Sequence, residues 1–81
     1  MEAPAYPAFR ELGNGLSRYR IDSATAMVEV QRIGRRFMVH RLDANTYPER
    51  LRIHELLTMT DADVRAIGPD DFEDWLAQAL A

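Results

Sequence analysis

The sequence predicts an α+β fold. A three- or four-stranded antiparallel meander is expected over about residues 9–42, followed by two or three short helices packed on one face of it. Three features predict this. Apolar and polar residues alternate with period two through much of the first half. A Gly-Arg pair divides two β-rich runs. A stripe at helical spacing ends the chain. The 81 residues include no cysteine, 47% are hydrophobic and 28% are charged, which suits one small globular domain without disulfides.

Residues 1–8 read as an extended arm, because Pro4 and Pro7 disfavour regular pairing. The single domain is expected over 9–81. Gly13-Asn14-Gly15 signals a turn, since all three residues tolerate positive φ. In the strand that follows, Tyr19 and Ile21 share one face, while Arg18 and Arg20 share the other.

Residues 25–42 form the clearest element, a hairpin with Gly34-Arg35 at its tip as a type II′ turn; a turn at Ile33-Gly34 is the alternative, and a one-residue slip would reverse the faces. The Gly34-Arg35 turn sets Ile33 against Arg36, Arg32 against Phe37, Val30 against Val39, Glu29 against His40 and Met27 against Leu42. Val28, Val30, Phe37 and Val39 then form the face expected in the core. Met27, Ile33, Met38 and Leu42 fall on the other face, beside Glu29, Gln31 and Arg36.

Pro48 and Glu49 suit a helix start, and Leu51, Ile53, Leu56 and Leu57 partly fit a helical stripe. A helix is expected over 48–59, with the alternation Arg50–His54 as the competing strand reading. Thr60–Asp63 resembles a capping box opening a short helix that ends at Gly68. Pro69 restarts a helix with Phe72, Trp75, Leu76, Ala79 and Leu80 on one stripe. Asp70, Asp71, Glu73 and Asp74 sit in its first turns, where the helix dipole favours acids. The expected core is Tyr19, Ile21, Val28, Val30, Phe37, Val39, Leu51, Leu56, Val64, Ile67, Phe72, Trp75, Leu76 and Leu80.

Chemistry is sparse. His40, His54, Asp43 and Glu55 lack metal-site spacing, and a cross-strand Glu29–His40 ion pair explains His40. Cysteine and Gly-x-Ser-x-Gly are absent, and the Gly-x-Gly at 13–15 lacks the rest of a dinucleotide fingerprint. A chain this short also leaves little room for a pocket. No catalytic, cofactor or metal residue is therefore assigned, and an enzyme is not expected. Glu2 and the two prolines at the start fit no secretory signal, and no run is long and apolar enough to span a membrane. The expected compartment is the cytoplasm. All ten basic residues are arginine, a bias that suggests a GC-rich bacterial or phage genome.

Residues 1–57 carry nine arginines and seven acids, while 58–81 carry one arginine and six acids. This asymmetry frames two functional expectations. The first is a non-catalytic protein–protein interaction module: a regulatory, adaptor or inhibitor protein, or a homodimer. It would act through an apolar patch of Met27, Ile33, Arg36, Met38 and Leu42, or through the acidic helix bearing Asp70, Asp71, Glu73 and Asp74. The alternative is a nucleic-acid-binding domain that presents Arg18, Arg20, Arg32, Arg35, Arg36 and Arg41 to phosphates.

Overall fold

A computed structural model describes residues 5–61 and 63–81. The described chain runs β1 (Ala8–Leu12), β2 (Ser17–Ser23), β3 (Ala26–Ile33), β4 (Arg36–Asp43), α1 (Tyr47–Thr58), β5 (Val64–Ala66) and α2 (Pro69–Leu80). The five strands form one antiparallel sheet in the order β4-β3-β2-β1-β5. The architecture is α+β. No described helix is long and apolar enough to cross a membrane.

Local chemistry accounts for the meander. Gly15 adopts φ +72° in the first turn, and the Leu16 N–H donates to Asn14 Oδ1 at 2.9 Å. The tip of the second hairpin is Gly34-Arg35. Gly34 has φ +61° and Arg35 does not have positive φ, which is the type II′ pattern. All the pairings expected for this hairpin occur, from Ile33–Arg36 to Met27–Leu42.

Two expectations about the helical part are corrected. The helices do not share a face; α1 and α2 cover opposite faces of the sheet. On one face Ile53 and Leu56 of α1 pack with Ala8, Tyr19, Ile21, Met27, Ala44 and Val64. On the other, Phe72 and Trp75 of α2 pack with Val28 and Val30, flanked by Phe9, Phe37 and Val39. The parity of the strands explains this: both faces of the hairpin carry large apolar residues, and each needs its own cover. Helix α1 crosses over one face from β4 at one edge to β5 at the other, and α2 then returns beneath the second face.

The second correction concerns residues 60–68. No helix forms on the described part, and Ala62 of the expected capping box lies outside the described residues, as do residues 1–4 of the expected arm. Asp61 Oδ1 accepts the Asp63 N–H at 2.9 Å, and the Asp61 carbonyl accepts the Val64 N–H at 3.1 Å. The aspartate thus closes a turn instead of a helical first turn. Val64–Ala66 then becomes a fifth strand, pairing Leu12–Val64, Glu11–Arg65 and Arg10–Ala66.

Residues 47–58 are helical, which settles the helix-or-strand alternative. Glu49 Oε1 accepts from the Thr46 hydroxyl at 2.8 Å and the Thr46 N–H at 3.1 Å, tying down the N-terminus. At the other end Arg10 reaches up from β1. Its Nε donates to the Leu56 carbonyl at 3.0 Å and its Nη2 to the Leu57 carbonyl at 3.1 Å. A cation there satisfies carbonyls that the helix leaves unpaired. Leu51, expected in the core, is exposed, because Ile53 and Leu56 define the buried side and position 51 lies about 200° around the helix from 53. Leu80, also expected in the core, lies at the end of α2 and is 68% exposed.

Candidate functional site

The sheet has two unlike edges. The β5 edge is three residues long. The β4 edge is eight residues long, and no described strand pairs with its outer side. The Ala44 N–H donates to the Thr25 carbonyl at 2.7 Å, so even-numbered residues of β4 point their backbone groups toward β3. Phe37, Val39, Arg41 and Asp43 therefore direct their N–H and C=O groups outward. Edges of this length are usually blunted by charged side chains, proline, a bulge or a covering element. Here Arg36, Arg41 and Asp43 supply charge, while β4 has neither a proline nor a bulge.

The α1 face is only partly covered. Met27 is 7% exposed and Leu42 is half-buried beside the α1 core, so neither belongs to an open patch. The helix crosses their end of the hairpin and stops short of its tip. Ile33 and Met38 remain 52% and 46% exposed, with Arg36 exposed beside them. Ile33 and Met38 sit diagonally across β3 and β4 on one face. They adjoin the free edge, so backbone and apolar contacts lie together. Glu29 faces His40 across the strands as expected, but no ion pair joins them among the described residues.

The arginines do not form one surface. Arg18, Arg20, Arg32 and Arg41 lie on the α2 face, Arg36 on the α1 face, and Arg35 in the turn. Arg18 is built into the α2 interface. Its guanidinium lies 4.1 Å from the Trp75 ring centroid, its Nη1 donates to the Asp71 carbonyl at 2.6 Å, and its Nε donates to Glu11 Oε2 at 2.6 Å. Arg20 lies 5.6 Å from the Phe72 ring centroid and pairs with Asp22 at 2.9 Å. Arg32 lies 5.5 Å from the Trp75 ring centroid but is otherwise exposed. Arg35, Arg36 and Arg41 are exposed, and none forms an ion pair among the described residues.

Among the described residues Glu11 is the one buried charged side chain, 3% exposed, and it is held by both Arg18 and Arg65. Burial alone would raise its pKa. The hydrogen bonds and charges of the two arginines outweigh that, so the carboxylate lies below its ordinary range. The buried Tyr19 hydroxyl is pushed the other way, by burial and by the charge of Glu29, with Arg52 opposing. The acids of α2 stay exposed. Asp71 Oδ2 accepts the Gly68 N–H at 3.1 Å, and Asp74 accepts from Gln78 at 3.4 Å.

One expectation about space is corrected. An open groove of about 980 Å³ runs between α1 and the start of β1, lined by Tyr6, Pro7, Phe9, Ile53, His54 and Leu57 among others. Strand β5 flanks only Arg10–Leu12, with one further bond from the Ile67 N–H to the Phe9 carbonyl, so the pairing ends before the first residues of β1. The groove walls contain no carboxylate. Arg10 and Arg50 in its lining donate to backbone carbonyls, and the Thr58 hydroxyl donates to the His54 carbonyl. No nucleophile is paired with a base there. Among the described residues no three His, Asp or Glu side chains gather as a metal site.

Of the residues that the sequence offers as a patch, Ile33, Met38 and Arg36 are exposed. The edge beside them leaves no signal in the sequence, because the outward bonding capacity of β4 belongs to the backbone and depends on strand order. The groove had no signal in the sequence, since its walls come from segments far apart in the chain. No family model, no curated protein and no solved structure matches this chain.

Proposed function

We propose that this protein is a non-catalytic protein–protein interaction module, a small regulatory, adaptor or inhibitor protein of the cytoplasm. It acts through the free β4 edge together with Ile33 and Met38. The observation that carries the reading is the coincidence of these two features: outward N–H and C=O groups at Phe37, Val39, Arg41 and Asp43, and an apolar patch formed by Met38 on the same strand and Ile33 on the next. An added strand gains affinity from main-chain hydrogen bonds and specificity from the side chains beside it. The acidic outer side of α2 offers a second contact for a basic partner surface.

Two variants test the reading. Met38→Glu places a charge in the patch, and Arg41→Pro removes an outward N–H that β3 does not use. Immobilised wild-type protein should retain a partner from a native lysate, and both variants should release it while keeping the wild-type circular dichroism spectrum. Undiminished retention by both variants overturns the proposal.

A second reading rests on Arg32, Arg35 and Arg36, which are exposed together at the hairpin tip. Guanidinium groups suit the phosphates of a nucleic acid, and Arg35 and Arg36 have no ion-pair partner among the described residues. Such binding should weaken steeply as salt is raised, through counterion release. Absence of binding to single- and double-stranded oligonucleotides at low salt removes this reading.

A further inference from the structure

We infer that the partner of the β4 edge is a second copy of this chain. Two β4 strands pair antiparallel about a two-fold axis through Val39, making one continuous ten-stranded sheet. This rests on the edge-binding reading above and names its occupant.

The argument is one of register and charge. A two-fold axis perpendicular to the sheet keeps each face continuous, so paired residues must share a face. Registers centred on Met38, Val39, His40 or Arg41 meet that condition and place outward-bonding residues of β4 opposite one another. Centring on Met38 sets Arg35 against Arg41, and centring on Arg41 sets that arginine against itself. Like charges directly opposite are destabilising. Centring on His40 leaves Asp43 facing Phe37 and Arg41 facing Val39, with no opposite charges matched.

Of the four, only the Val39 register sets opposite charges against each other and opposes no like charges. It sets Arg35 of the turn against Asp43 of the second copy, and by symmetry does so at both ends. Phe37 meets Arg41, a cation against an aromatic ring. Met38 meets His40, Arg36 meets Leu42, and Val39 meets itself. This register also uses the strand from Arg36 to Leu42. Within one chain Arg35 and Asp43 are both exposed, and neither forms an ion pair among the described residues, so both are available. The β5 edge offers no such match: it has three residues, and its Arg65 is already engaged with Glu11.

Sedimentation equilibrium of the full chain tests this, with Asp43→Arg, Arg35→Asp and the double exchange. The wild type should be dimeric. Each single reversal should weaken dimerisation about tenfold, since each acts at two symmetric contacts. The double exchange should restore it, because it rebuilds both pairs with the signs inverted. Arg41→Pro should give a folded monomer. A wild type that stays monomeric to about 1 mM, an affinity too weak for a specific dimer, overturns the inference. The edge-binding reading then still stands if its own variants release a different partner. A dimer that ignores the single reversals, or that the double exchange fails to rescue, overturns the register and with it the inference.

Discussion

The two faces of the sheet are both covered by a single helix, yet by different chemistry. Beneath α1 the layer is mainly aliphatic: Ile21, Met27, Ile53, Leu56 and Val64, with Tyr19 its one aromatic ring. Beneath α2 it is aromatic and cationic. Phe9 packs on Phe72 at 5.9 Å between ring centroids, Phe37 meets Trp75 edge-on at 5.2 Å, and Arg18 and Arg32 flank the Trp75 ring. The difference shows that arginines suited to phosphate binding serve equally well as packing groups. Their apolar stems cover rings while their guanidinium groups find carboxylates and carbonyls.

The sharpest way to break this comparison is to remove a ring. Phe72→Ala should cost about 3–5 kcal/mol in urea unfolding, as full truncation of a buried aromatic usually does. Leu56→Ala under α1 should cost about 2–5 kcal/mol by the same cavity argument. If Leu56→Ala is clearly the more damaging, the aliphatic face and not the aromatic one dominates stability.

Next in size is the buried carboxylate. Glu11→Gln should cost about 2 kcal/mol at neutral pH, the scale of hydrogen bonds to charged groups. Its folded-state pKa is lowered, so the stabilisation is fully present above the unfolded value near 4.3. It is lost as pH falls through the lowered folded value. The stability gap between wild type and Glu11→Gln should therefore close during acid titration; a gap unchanged down to pH 2 would show that the charge is not what matters.

Smaller again is Arg18→Lys. A lysine keeps the charge but cannot stack its head on Trp75 while donating to both Glu11 and the Asp71 carbonyl. The expected loss is about 1 kcal/mol, measured by the unfolding midpoint. No loss would mean that Arg18 packs only through its stem.

The smallest effect should come from the uncovered part of the α1 face. Ile33→Glu and Met38→Glu should each change stability by less than about 0.5 kcal/mol, as exposed positions do. A large loss in either would place these residues in the core and remove the patch from the proposed interface.

Much of the sheet was legible before any coordinates. The β3–β4 register followed from one assumption, a two-residue turn at Gly34-Arg35, because side-chain parity leaves no freedom once the turn is placed. The stripe from Phe72 to Ala79 also followed from spacing alone. The helix expected over residues 60–68 does not form on the described part, and the sequence does not separate the two outcomes because Asp and Gly serve alike at a turn and at a helix end. The vacant side of β1, some fifty residues earlier in the chain, supplied the partner that made a strand of Val64–Ala66. For the candidate site, Ile33, Arg36 and Met38 were named correctly as exposed, whereas Met27 and Leu42 were lost to the patch once α1 lay across them.

Sequence alone determined the local grammar of this protein: the turns at Gly15 and Gly34, the alternation along β2, β3 and β4, and which side chains of those strands share a face. Those are properties of neighbours in the chain, set by backbone sterics and period. Tertiary structure decided which helix lies on which face, that β5 closes one edge while β4 stays open, and that Glu11 sits between two arginines. These choices rest on competition between distant segments for the same apolar surface and the same unpaired backbone groups, and residue spacing along the chain does not encode who wins.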